Sequence, residues 1–196
     1  MNRRLRIAST AVIKPGAPLD VSFVPPLVRR RLSPLQKLFF ALANSVGAAE
    51  PTQVVFSSRD GEDTLTRRIV EEFNADGAVS PNRFSSSVYN AAPGLWSVAT
   101  KNHAPYTAVA AGDDSVECGL LELLFAATPA VLVYAEETGG GYGAALRVVG
   151  ADSAGREAVV EEGDPSRRPL GFDAFAAFLS GEANVLEGRW LTLRCP

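Results

Sequence analysis

Histidine and cysteine are nearly missing from this chain, with one His and two Cys among 196 residues. A metal centre of imidazole or thiolate ligands needs several such groups close together, and His103, Cys118 and Cys195 are too few and too far apart. The two cysteines cannot make a CxxC pair, and two thiols in a chain of this length point to a reducing compartment rather than a disulfide framework. The cytoplasm is the expected location. Surplus basic charge is missing too. Lys and Arg number 19 against 22 Asp and Glu, a net charge of -3, which argues against a general nucleic-acid binder because phosphate contacts need positive charge. No apolar run approaches the ~20 residues that span a bilayer, so no membrane span is expected. The basic opening Arg3-Arg4-Leu5-Arg6 could begin an export signal, but Ser9, Thr10, Lys14 and Pro15 break the apolar stretch such a signal requires.

What is present is the composition of a folding domain. Hydrophobic residues make up 46% and charged residues 21%, enough apolar surface to build a core within one domain over 1–196. The first 25 residues hold several prolines and read as an extended lead-in with an edge strand at 6–13. Ser33 and Pro34 then start a helix that places Leu35, Leu38, Phe39, Leu42 and Val46 on one face before Gly47 ends it. A strand is expected at 53–57 and a helix at 62–73 with Leu65, Ile69 and Phe73 aligned. Next come a helical turn after Ser80-Pro81 carrying Phe84 and Val88, and a helix at 91–100 with Leu95 and Val98 inward. The segment 106–111 reads as a strand, 112–115 as a tight turn, and 116–127 as a helix with Val116, Leu120, Leu123 and Leu124 on its apolar side. Strands at 130–135 and 144–149 flank a glycine-rich hairpin or loop, and a helix at 172–179 and a strand at 189–193 close the chain. Alternation of helix and strand makes the fold class α/β.

Four features invite a chemical reading. Gly139-Gly140-Gly141-Tyr142-Gly143 follows a strand, yet a phosphate loop needs a helix N-terminus next, and here another strand is expected without a Gly-Lys-Ser/Thr. No cofactor is expected. His103 lies in a polar connection and reads as a solvated loop residue. Asp113 and Asp114 sit where a strand turns sharply into a helix, a position that suits a nucleophile but equally suits a carboxylate capping the helix, as Ser115 also could. The absence of Gly-x-Ser-x-Gly speaks against a Ser-His-Asp hydrolase. Arg29-Arg30-Arg31 is the one dense positive run, either a solvated surface or a docking spot for an acidic partner.

Taken together, SVYNAAPGLWSVA at 87–99, APYTAVAAGDDS at 104–115, PLVRRRLSPL at 26–35 and VVFSSRDGE at 54–62 resemble the N-terminal half of β-ketoacyl synthases. They are more similar still to the short β-ketoacyl-synthase-like N-terminal domain proteins. The resemblance implies a thiolase-like layered fold, one half only, and a role in fatty-acid, polyketide or aryl-polyene assembly. Residue by residue it puts Asp113 where condensing enzymes carry their cysteine nucleophile, and a carboxylate cannot hold an acyl group as a thioester. It assigns the family's two histidines to a C-terminal half that this length has no room for. The protein is therefore expected to be a noncatalytic subunit like a chain-length factor, partnered by an active ketosynthase. The resemblance further implies an interface along Tyr106, Ala108 and Ala110, as a heterodimer or homodimer. Asn90 and Gly94 would build the loop beside the turn, and Arg29, Arg30 and Arg31 would meet an acidic acyl carrier protein. Two other readings stay open: an acyl-thioester hydrolase or transferase using Asp113 or Asp114 as base, and an acyl-binding scaffold domain. The tail 151–196, with its helix and strand, would finish the sheet or cover a face.

Overall fold

A computed structural model describes residues 3–48 and 51–196. Eight strands form one mixed sheet: β1 (Arg3–Ile13), β2 (Gln53–Ser57), β3 (Tyr106–Val109), β4 (Ala130–Glu136), β5 (Tyr142–Val149), β6 (Arg156–Glu162), β7 (Val185–Glu187) and β8 (Leu191–Arg194). Their order across the sheet is β3-β2-β4-β5-β1-β6-β8-β7, with β2 parallel to both β3 and β4 and the remaining pairs antiparallel. Among the described residues seven α-helices accompany them: α1 (Pro26–Arg29), α2 (Pro34–Ser45), α3 (Asp63–Asp76), α4 (Pro81–Ser87), α5 (Ala91–Thr100), α6 (Ser115–Phe125) and α7 (Phe172–Ser180).

The sheet is sandwiched between helices. On one face α2 and α5 bring Leu35, Phe39, Leu42 and Trp96 onto Val54, Phe56, Val131 and Val133. On the other, α6 and α7 bring Val116, Leu120, Leu123, Phe175 and Phe178 onto Val55, Leu132, Leu146 and Val148. Because both faces of β4 are covered, all seven of its residues are buried and its sequence AVLVYAE shows no polar alternation. The start of α2 follows the sequence signal. Ser33 Oγ accepts from the Gln36 amide at 3.0 Å while Gln36 Oε1 accepts from the Ser33 amide at 3.1 Å, with Pro34 in the first turn.

The structure corrects several expectations. The first strand is not an edge of the sheet: residues 3–7 pair with β6 and residues 6–13 with β5, so Arg6 and Ile7 are paired on both sides. Its register shifts at Ala8, and the extra residue turns the following side chains to the opposite face. Leu5 and Ile7 pack with α6 and α7, whereas beyond the bulge Ser9 Oγ donates to the Val46 carbonyl at the end of α2 and Thr10 Oγ1 to the Leu179 carbonyl at the end of α7. The apolar stripe of α3 does not reach a core: no side chain of α3 or α4 is buried, and Val70, Phe73, Phe84 and Val88 face solvent. Val98 of α5 points outward and Trp96, its neighbour, fills the inward position. The tail adds three strands rather than one, with β6 and β7 unforeseen, and α7 roofs β1 and β5. The glycine segment is the β4–β5 hairpin connection, where Gly139, Gly140 and Gly141 all take positive φ and a strand follows.

Candidate functional site

The carboxyl ends of the parallel strands β2, β3 and β4 converge on one rim of the sheet, the place where ligand and catalytic groups collect in α/β sheets. At its centre is the turn from β3 into α6. Gly112 takes a φ of +57°, and Gly112–Asp114 form one tight helical turn before α6 begins. Ser115, buried, knots this turn from inside: its Oγ accepts from the Ala111 amide at 3.1 Å and donates to the Gly112 carbonyl at 2.8 Å. It is the first residue of α6 rather than its cap.

Asp114 occupies the N-cap position of α6, but neither aspartate side chain makes a capping hydrogen bond. Asp113 Oδ1 stands 2.9 Å from Arg59 Nη1, in an ion pair whose Asp113 side chain is 67% exposed, so its contribution to stability falls in the ~0–1 kcal/mol range of surface pairs. Asp114 is more enclosed and holds Arg189 Nη1 at 3.3 Å from both carboxylate oxygens. The expectation that these carboxylates satisfy helix amides is thus replaced by two arginine pairs drawn from distant segments, the loop after β2 and the loop between β7 and β8. His103 is an exposed residue of the α5–β3 connection.

Buried carboxylates that sequence reasoning passed over do the work of fixing the rim. Glu117, one turn into α6 and fully buried, accepts from the amides of Arg189 at 3.1 Å, Leu191 at 2.9 Å and Trp190. Glu136, at the end of β4, accepts from Ser58 Oγ at 3.0 Å, the Asp60 amide at 3.2 Å and the Arg59 amide, which orients the Arg59 side chain toward Asp113. Burial raises the Glu136 carboxyl above the usual carboxylate range against these hydrogen bonds. Glu62, ahead of α3, is 4% exposed, and burial pushes it up to about 7 although Ser33 Oγ (3.0 Å) and Gln36 Nε2 (2.7 Å) donate to its Oε1. The Tyr89 hydroxyl lies between the carbonyls of Ser58 and Val109, joining the ends of β2 and β3, and burial pushes it up to about 12.

Of the residues singled out in the sequence, Asp113, Asp114 and Ser115 stand together. Asn90 and Gly94 do not join them. Asn90 is exposed and makes no side-chain cap, and Gly94 faces Tyr106, whose hydroxyl would lie 3.3 Å from a Cβ there. Tyr89, one residue earlier, is the one that reaches the turn. Tyr106, Ala108 and Ala110 run along β3 and just past it, and β3 pairs with β2 alone, leaving its outer edge without a strand. Arg29 ends the one-turn α1, Arg30 and Arg31 follow it in the open, and among the described residues none of the three has a carboxylate within ion-pairing distance. No group of three or more metal-ligating side chains occurs among the described residues, and no helix there is long and apolar enough to cross a membrane.

A mixed sheet in this order, layered between helices, with a strand–turn–helix unit at its rim, defines the thiolase-like ketosynthase N-terminal fold. The family model described as beta-ketoacyl synthase, N-terminal domain, matches residues 6–139, and the chain belongs to that family. Among solved structures it is similar to a chain of the ketosynthase ApeO in complex with its chain length factor ApeC from Xenorhabdus doucetiae. That match has a TM-score of 0.75 at 20% identity and covers 98% of this chain and 99% of that one. It is also similar to the ishigamide ketosynthase/chain length factor, with a TM-score of 0.56 at 20% identity, covering 72% of this chain and 51% of that one. No curated protein matches it by sequence.

Proposed function

We propose that this chain is a noncatalytic subunit like a chain-length factor, which pairs with an active ketosynthase in fatty-acid, polyketide or aryl-polyene assembly. The observation that carries this reading is Asp113. The turn that in condensing enzymes presents a thiol here presents a carboxylate held by Arg59 at 2.9 Å. A carboxylate cannot hold an acyl group as a thioester. The open edge of β3 supports a partner on that side. Tyr106 is half-exposed there, and Val98 on the adjoining α5 is 79% exposed, an apolar surface beside unpaired backbone groups that edge pairing would satisfy. The unpaired Arg29, Arg30 and Arg31 suit an acidic carrier protein brought to such a complex.

Co-expression with candidate ketosynthases followed by native mass measurement tests the proposal. The expected result is a stable 1:1 complex that is lost in a Val98→Asp, Tyr106→Asp double variant and kept in Asp113→Asn. Malonyl-thioester condensation by the pure chain alone, abolished by Asp113→Asn, would overturn it, as would a chain that stays monomeric with every candidate.

A further inference from the structure

The α3–α4 hairpin is an unusual attachment. It spans residues 63–87, buries none of its side chains, and α4 is tied to α3 by an Arg83–Glu72 ion pair. What fastens it to the rest of the molecule is a polar knot at its two ends. Gln36 Nε2, from the buried first turn of α2, donates both to Glu62 Oε1 at 2.7 Å and to the Ser86 carbonyl at 3.2 Å, so one amide group grips the hairpin where it leaves the body and where it returns. The Thr64 amide donates to Glu137 Oε1 at the end of β4. Two atoms in this knot have no partner: Glu62 Oε2 and Glu137 Oε2 are both buried and make no hydrogen bond. No cation faces Glu62. The groups acting on it are the Ser33 hydroxyl and the Gln36 amide, which donate, and the Glu137 carboxylate, which repels a second negative charge.

An ionised Glu62 with a bare buried oxygen would forgo hydration without a counter-charge, with the Glu137 carboxylate opposing a second negative charge, and it relieves that cost by keeping a proton. We propose that a proton held on the buried Glu62 carboxyl is the latch that fastens the α3–α4 hairpin to the body, and that its loss loosens the hairpin. In the loosened state Glu62 is hydrated and titrates as an ordinary carboxylate. The closed state therefore binds the proton more tightly, and closure weakens as pH rises from about 4.5 to about 7 and changes no further above that. Because the hairpin packs beside α5 and carries Val70, Phe73 and Phe84 in the open, the latch sets how firmly this apolar surface is held. Only the consequence for partner binding rests on the reading of the β3 side as an interface. The latch itself is a property of the chain alone.

Hydrogen exchange on the intact chain without a partner, read by mass spectrometry at pH 5.0 and 7.5 with intrinsic rates corrected, tests it. Protection across 63–87 is expected to fall on the order of 10- to 100-fold at the higher pH, the response of one linked proton, while α2, β4 and α6 hold theirs. Glu62→Gln, a neutral isostere, should remove the pH dependence. Glu137→Gln, which leaves Glu62 in place but removes the opposing charge, should shrink it and shift it to lower pH. Equal protection at both pH values in the natural chain, or the natural response surviving in both variants, would overturn the latch and leave the partner proposal standing.

Discussion

Single side chains at the rim carry very unequal weights, and exposure decides which matter. Asp113 is the most suggestive residue of the sequence, yet its ion pair is open to water, so Asp113→Asn should move stability by less than about 1 kcal/mol. Glu117 looks in the sequence like any solvent-facing helix glutamate. It is fully buried on three successive amides, and leaving a buried donor without its acceptor costs ~1–3 kcal/mol each. Glu117→Ala should therefore cost on the order of 3 kcal/mol or more in urea unfolding, and Glu117→Gln, which keeps one acceptor oxygen, clearly less. No period or motif could have revealed this, because the partners are backbone groups more than 70 positions away. Arg189, which reaches the Asp114 carboxylate 75 positions away, and Glu62, whose side-chain partners Ser33 and Gln36 lie 29 and 26 positions away, were hidden for the related reason that their contacts are not local in the chain. By contrast Ser33 and Pro34 were legible, since a helix start is written in adjacent residues, while the reciprocal bond from Gln36 came with the structure.

At the level of elements, the buried strands and the two well-buried helices α2 and α6 were readable because their apolar residues recur at the right spacing and meet a core on that side. The stripe of α3 has the same spacing without the core, so periodicity overstated its burial. The strand β6 escaped notice because REAVVEE is mostly charged, and β7 because three residues carry no period. The contact of α6 with the sheet supplies a sharp test. A Cβ at Gly119 would lie 2.8 Å from Ser57 Cβ and 2.9 Å from Leu132 Cδ1, so the helix rides directly on β2 and β4. Gly119→Ala gains about 1 kcal/mol of helix propensity but overpacks at a cost of ~1–3 kcal/mol. The second effect should win, with a lower melting temperature in a thermal scan. A rise would mean that α6 can shift without penalty.

For the molecule as a whole, residues 151–196 belong to the same sheet and the same core as the family-matched part. Phe175, Phe178 and Leu179 of α7 are almost completely buried against β1 and β5, and at ~1.5–3 kcal/mol per side chain their loss alone rivals the ~5–15 kcal/mol stability of an ordinary domain. A chain cut after Gly150 should accordingly fail to give a cooperative melt by circular dichroism and should aggregate in size exclusion. The position of β1 has a further consequence, for synthesis. This strand leaves the ribosome well before its neighbours β5 and β6, because Arg3 pairs with Val160 and the two are far apart along the chain. Its apolar residues must spend that interval without their mates, closure of the sheet is a non-local event, and a nascent chain stalled before β6 would be a natural client for a chaperone.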